Sequence, residues 1–209
     1  MRLQRFLQKA PVVVAGLAPV AWLAWAAVQG RLGANPISEL TKETGTWTLR
    51  FVVLTLAITP VRKLTGWNLL VRYRRMLGLF AFFYGTLHLV TYVWFDQFFD
   101  VASITKDVLK RPFITVGFAA FLLMVPLALT STTGWIRRLG GKRWQALHRL
   151  VYATAALGVV HYWWLVKADI SRPLTYGVIL ATLLAARLAL RMKAKPAARG
   201  VVAPSPRGV

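Results

Sequence analysis

Residues 76–95, MLGLFAFFYGTLHLVTYVWF, run for twenty positions without a charged side chain and carry one histidine, His88, past their middle. A helix of that length rises about 30 Å, the thickness of a bilayer's hydrocarbon core. The stretch is therefore read as a membrane span. An ionisable side chain is costly in lipid, so His88 is a candidate functional residue by default. The rest of the chain fits the same solvent: 57% of its 209 residues are hydrophobic and nine are tryptophan, which is not the profile of an ordinary soluble domain.

Working outward, further charge-poor runs occur at 11–28, 46–61, 112–136, 150–166 and 173–186. Together they predict an all-α integral membrane protein, a bundle of six transmembrane helices. Arg50 interrupts the second run near one end, and the last is short unless Arg187 snorkels its charge to the interface. The first follows Arg2, Arg5 and Lys9 as a signal peptide would, but its length, Trp22 and Trp25 and the lack of a convincing A-x-A cleavage site mark a retained helix.

Charge sets the expected orientation, because Lys and Arg accumulate on the cytoplasmic side. Nineteen of the 27 basic residues fall at the N-terminus, in 62–75, in 131–149 and from Arg187 onward, and none of the six acids does. Both termini are thus expected in the cytoplasm. Residues 1–192 read as the membrane domain and 193–209 as a basic cytoplasmic tail expected to be disordered. A net charge of +21 would otherwise suggest nucleic acid, but the charges are spread over short inter-helix loops without a nucleic-acid motif. Topology and anionic lipid account for them. The absence of cysteine excludes disulfides, thiolate iron–sulfur ligation and c-type haem attachment.

The chemistry then rests on three histidines. His88 is thirteen residues beyond Arg75 and His161 twelve beyond Arg149, on helices that both run outward, so the two lie at one depth. Two neutral imidazoles at one level can ligate one iron from both sides, the geometry of a low-spin electron-transfer haem; hydrogen bonding between helices is the alternative. Gly85 and Gly158, each three residues before its histidine, share its helical face and offer clearance for a flat macrocycle or for helix packing. His148, about 20 Å of helix below His161, suits a second haem, a quinone site or a propionate contact near the inner interface. On an ideal helix the offset leaves the two rings about 140° apart, and the matching positions on the third helix are Arg74 and Arg75 rather than histidine.

Several stretches carry a family resemblance: Arg74-Arg75-Met76-Leu77-Gly78-Leu79 leading to Thr86-Leu87-His88-Leu89, the helix end Ile58-Thr59-Pro60-Val61-Arg62, and Gly141-Lys142-Arg143-Trp144-Gln145 before Leu147-His148, with His161-Tyr162. Over about residues 1–195 the chain resembles the MsrQ (YedZ) family of the ferric-reductase-like transmembrane superfamily. The resemblance implies a multi-pass protein of the bacterial inner membrane that binds haem b, one or two, with FMN as an additional cofactor. It further implies electrons from the quinone pool or a cytoplasmic flavin reductase, and delivery to MsrP, a periplasmic molybdopterin enzyme that repairs oxidised methionine. Catalysis is then expected in the partner. Larger relatives append a flavin and nicotinamide domain, whereas no G-x-G-x-x-G follows a strand here, so electrons are expected from a quinol or another protein.

Haem propionates need counter-charges. Arg50 is the candidate at the outer haem, with snorkelling as its alternative. The cluster of Arg72, Arg74, Arg75, Arg143 and Arg149 suits lipid headgroups, a flavin phosphate or inner propionates. Outer aromatics such as Tyr92, Trp94, Tyr162, Trp163 and Trp164 read as an interfacial belt or a docking aid, and the loops 30–45 and 96–111 as partner contacts. Three functions compete: an electron conduit for a periplasmic reductase, a stand-alone ferric or cupric reductase, and a non-redox scaffold.

Overall fold

The computed structural model describes residues 9–166 and 168–193, so Arg2, Arg5 and all of the expected tail but Lys193 lie outside the described residues. The described residues form nine α-helices and no strand. They are α1 (Ala10–Val28), α2 (Pro36–Thr65), α3 (Val71–Thr91), α4 (Val101–Lys110), α5 (Pro112–Leu129), α6 (Thr133–Leu139), α7 (Gly141–Leu147), α8 (Leu150–Leu165) and α9 (Ser171–Lys193). A 3₁₀ turn at Asn68–Leu70 leads into α3 and a π-helical turn at Tyr92–Asp96 extends it.

Five helices are long and apolar enough to cross a membrane: α1, α2, α3 with its flanking turns, α5 and α9. The protein is a multi-pass membrane protein. The sixth expected span is present as α8, but its 16 residues rise only about 24 Å.

Three expected boundaries are corrected. The second helix starts at Pro36 rather than 46, because the Asn35 side chain caps it by accepting from Ser38 N at 3.1 Å and Pro36 supplies a helical φ at N1. Its polar stretch is helical, and Thr41, Thr44, Thr46 and Thr48 satisfy their hydroxyls within it by each donating to the carbonyl four residues before. The fourth run, expected to 136, stops at Leu129; Thr132 then caps the separate helix α6 by accepting from Trp135 N. The expected outer loops are largely helical, since 36–45 opens α2 and 101–110 forms α4, capped by Asp100. Asp107 ties α4 down, accepting from Tyr92 Oη and Gln97 Nε2 and pairing with Arg111, each at 3.2 Å.

Two helix pairs dominate the packing, α2 along α3 and α5 along α8, with α9 lying against both α2 and α8. The central core draws on five helices: Phe51, Val52 and Leu56 from α2, Ala81 and Tyr84 from α3, Met124 from α5, Ala155 from α8 and Leu180 from α9. Outward-facing Val14, Trp22, Leu122 and Leu188 remain exposed, as side chains facing lipid do.

Helix α1 is held by a side chain inserted where Pro19 disturbs its ladder. The fully buried Tyr84 hydroxyl donates to Gly16 O at 2.8 Å and accepts from Val20 N at 3.0 Å, two groups that an unbroken turn would join to each other. Gly16 is needed there, because a Cβ would stand 2.4 Å from the Phe80 ring. Tyr84→Phe keeps the ring and loses both bonds, so it should cost about 1–3 kcal/mol. A lowered melting midpoint in detergent, with helix content unchanged at low temperature, is the measurement.

Candidate functional site

His88 projects from α3, and its Nδ1 lies 2.8 Å from Thr41 O of α2. His161 projects from α8, and its Nδ1 lies 2.7 Å from Phe113 O of α5. Each ring is thus oriented by the partner within its own helix pair. A carbonyl can only accept, so both Nδ1 atoms carry the proton and both Nε2 atoms keep a free lone pair, the form in which imidazole binds a metal.

The two rings meet across the gap between the pairs, with centroids 6.0 Å apart and planes at 76°. A metal bonded at about 2.0–2.1 Å by one nitrogen from each side puts the ring centres about 6 Å apart. The equal depth read from the sequence is therefore a real juxtaposition. Helices α3 and α8 make no extensive backbone contact with each other, so the histidines bridge a space that their backbones leave open. Among the described residues no cluster of three or more His, Cys, Asp or Glu side chains surrounds the pair. Two neutral imidazoles would suit haem, which brings its own ring nitrogens.

The glycines that face these imidazoles are not the ones the sequence singles out. A Cβ on Gly45 of α2 would stand 3.0 Å from the His88 ring, and one on Gly117 of α5 would stand 2.6 Å from His161. Gly85 faces Thr48, Met124 and Phe121, and Gly158 faces Leu49, all at ordinary contact distances of 3.5–3.7 Å. Close approach of a ring held by a backbone carbonyl is thus what the glycines of α2 and α5 provide. Their signal in the sequence was glycine inside a helical stretch, one turn after the residue whose carbonyl holds the ring.

Arg50 is half-buried, donating from Nε to Tyr176 Oη at 3.3 Å and lying 4.4 Å over the Trp47 ring. Tyr176 in turn lies against Tyr162, the neighbour of His161 in sequence. The guanidinium thus has aromatic partners of its own, one of which lies against the sequence neighbour of His161.

At the other end of α5 and α8 a cavity of about 1130 Å³ opens around His148. Neither His88 nor His161 lines it. Arg74, Arg75 and Arg149, named from the sequence, line it together with Arg187 and Arg191, and no Asp or Glu does. His148 stacks on Trp144 at 3.8 Å, and Trp144 Nε1 donates to Thr130 O at 2.8 Å. Thr130 gives its hydroxyl proton to Pro126 O at 2.6 Å, so its oxygen accepts from His148 Nε2 at 3.1 Å. Nδ1 is then the free base. The unbroken helix assumed for the offset between His148 and His161 is interrupted, because α7 ends at Leu147 and α8 begins at Leu150, with a turn at His148 and Arg149.

Burial, with Arg74 and Arg75 adding repulsion, pulls His148 down from 6.5 to about 4. The folded protein therefore keeps it neutral where the unfolded chain would already bind a proton, so its contribution to stability is complete above about pH 6.5 and is lost as pH falls towards 4. In the haem-free protein, a His148→Gln variant should show a flatter decline of melting midpoint than the parent across that window. Parallel profiles would contradict the assignment.

Arg187 does not snorkel to the interface. It turns inward, Nη1 donating to Tyr152 Oη at 2.6 Å and Nη2 to Leu56 O. Pro60, four residues on, has no N–H to give that carbonyl, and the arginine takes the vacant acceptor.

A helical membrane bundle with two imidazoles opposed near one end and a basic cavity near the other defines a class before any relative is considered, that of multi-pass membrane proteins with a histidine pair suited to haem. Residues 44–159 match the model of the ferric reductase like transmembrane component. The chain belongs to that family and, within it, to the MsrQ proteins. It is 57% identical over 187 residues to the protein-methionine-sulfoxide reductase heme-binding subunit MsrQ of Herminiimonas arsenicoxydans, covering 88% of this chain and 86% of that one. The same-named protein of Rhodospirillum rubrum is 57% identical, covering 87% and 88%, and that of Bordetella pertussis 54%, covering 89% and 91%. No solved structure matches the chain.

Proposed function

We propose that the chain is a haem b electron-transfer subunit of the bacterial inner membrane, supplying a periplasmic methionine sulfoxide reductase, the molybdopterin enzyme MsrP. The observation that carries this reading is the 6.0 Å pairing of His88 and His161 with both Nδ1 atoms held by backbone carbonyls. Haem b, when bound, supplies reversible one-electron iron chemistry without a proton or group transfer.

In this reading His88 and His161 would hold the outer haem iron, and Thr41 and Phe113 fix their tautomers through main-chain carbonyls. Gly45 and Gly117 admit the rings, and Arg50 stands ready as a counter-charge. His148 is the ligand of a second, inner haem through Nδ1, and Arg74, Arg75 and Arg149 offset the propionates; an FMN phosphate would meet the same basic rim. All six long helices cross the bilayer, α8 completing its span with help from the turn before it. The one-sided distribution of Lys and Arg puts both termini, and the 1130 Å³ cavity, on the cytoplasmic side. Electrons then enter from a quinol or a cytoplasmic flavin reductase near the cavity and leave near His88 and His161. Gly117 and Thr130 mark the two sites on α5, about 20 Å apart along its axis.

The test is performed on the purified full chain. A reduced b-type spectrum, reoxidised on addition of MsrP and methionine sulfoxide but only slowly by a ferric chelate, is the expected result. No haem would leave the scaffold, and rapid oxidation by the chelate without the partner would favour the stand-alone metalloreductase.

A further inference from the structure

Among the described residues two buried side-chain polar atoms find no hydrogen-bond partner, Arg187 Nε and Thr154 Oγ1. Both residues line the inner cavity. Thr154 departs from the pattern of most buried threonines in these helices. Thr44, Thr48, Thr55, Thr86 and Thr182 all donate to the carbonyl four residues before, whereas Thr154, 4% exposed, does not. The two Nη atoms of Arg187 are spent on Tyr152 and Leu56, which pin the guanidinium between α2, α8 and α9. An arginine held this firmly inside a membrane bundle still has its Nε–H unpaired, and with the Thr154 hydroxyl, which lines the same cavity, it offers donors to whatever fills the space. Buried donors are ordinarily paired, and a group in the cavity is the available source of acceptors.

We propose that Arg187 and Thr154 form the anion-receiving floor of the inner cavity and hold an anionic oxygen, carboxylate or phosphate, of the cofactor seated there. The inference rests on the inner-cofactor reading above and adds to it a site deeper than Arg75 and Arg149. Those two are exposed near helix ends, where solvent and lipid headgroups screen them, while Arg74 is half-buried and within electrostatic reach of Arg187. Arg187 sits sixteen residues into α9, beside the Leu56 carbonyl, where a charge acts through a lower dielectric. Removing that positive charge should make the cofactor harder to reduce, because the reduced form carries one more negative charge.

The experiment compares the full chain in detergent with Arg187→Gln, Arg187→Lys and Thr154→Val, reading haem and flavin content and a spectroelectrochemical titration of each b-type component. If the bound oxygen belongs to a haem propionate, Arg187→Gln lowers the midpoint potential of the His148-dependent component and makes it vary with pH, as the unneutralised propionate takes a proton on reduction. Arg187→Lys restores most of the potential, Thr154→Val gives a smaller shift in the same direction, and the component dependent on His88 and His161 stays where it was. If it belongs to a flavin phosphate, flavin content falls and both haem components are unchanged. Thr154→Val makes no backbone contact to lose, so it reports even if Arg187→Gln fails to fold. Parent-like content and potentials in the folded variants overturn the assignment while leaving the inner cofactor in place. A parent protein with neither flavin nor a His148-dependent component overturns the inner-cofactor reading itself, and this inference with it.

Discussion

Replacing either His88 or His161 with alanine should remove the outer low-spin haem completely. The two rings stand 6.0 Å apart as the opposed halves of one site, and each is set by a separate carbonyl, Thr41 O or Phe113 O. Loss of one imidazole leaves the other oriented but alone, with no partner nitrogen to complete a six-coordinate iron. The expected spectrum is either free of the outer b-type component or converted to a high-spin, five-coordinate form. His148→Ala should leave this component untouched, since its ring belongs to the cavity at the opposite end of α8. Difference spectra and haem content per chain check all three variants together. Full low-spin haem in His88→Ala or His161→Ala would contradict the ligand assignment.

The second large effect is expected from a residue that carries no chemistry. In Gly117→Ala the new methyl would stand 2.6 Å from His161 Nδ1 and 2.7 Å from Cε1. The ring cannot simply retreat, because the same Nδ1 is tied at 2.7 Å to Phe113 O on the same helix. Relief requires the imidazole to move by several tenths of an ångström or more, beyond the tolerance of a ligand that must meet an iron from a fixed direction. The outer haem should therefore be largely lost. The same substitution favours the helix itself by about 1 kcal/mol, since alanine is a better helix former than glycine. Haem loss in a chain that melts no lower in its haem-free form is the signature that separates this effect from misfolding. Gly45→Ala, with its methyl at 3.0 Å from the His88 ring, should lose less haem in the same assay. Equal and full haem content in both variants would show that the glycines are not there for the rings.

The parts of this site that were legible in the sequence are those where side chains alone carry the signal. Depth along parallel helices is arithmetic from Arg75 to His88 and from Arg149 to His161, and the structure brings the two rings together as that arithmetic requires. Carbonyls leave no such trace, so Thr41 and Phe113 could not be read as orienting groups. Gly45 was hidden further because the polar stretch before it reads as a loop until the threonine back-bonds are seen. Gly85 and Gly158 share a face with their histidines, yet the neighbour of a side chain is decided by the opposing helix.

The inner end was harder to read for a different reason. The angular argument between His148 and His161 assumed one unbroken helix, whereas the chain turns at His148 and Arg149, after a helix that opens at Gly140 with a left-handed φ of 74°. Arg187 was ambiguous because snorkelling and inward burial place the same residue at the same helical position. The clue lay on another helix, at Pro60, whose missing N–H leaves the Leu56 carbonyl for an arginine to find.

The most direct test of the outer site is near-infrared magnetic circular dichroism of the oxidised His148→Ala protein, a variant expected to carry haem only between His88 and His161. A charge-transfer band characteristic of bis-imidazole ligation, absent when His88 or His161 is also replaced, is the result expected. A high-spin signal, or a band showing one imidazole paired with some other ligand, would contradict the claim that these two rings hold one iron between them.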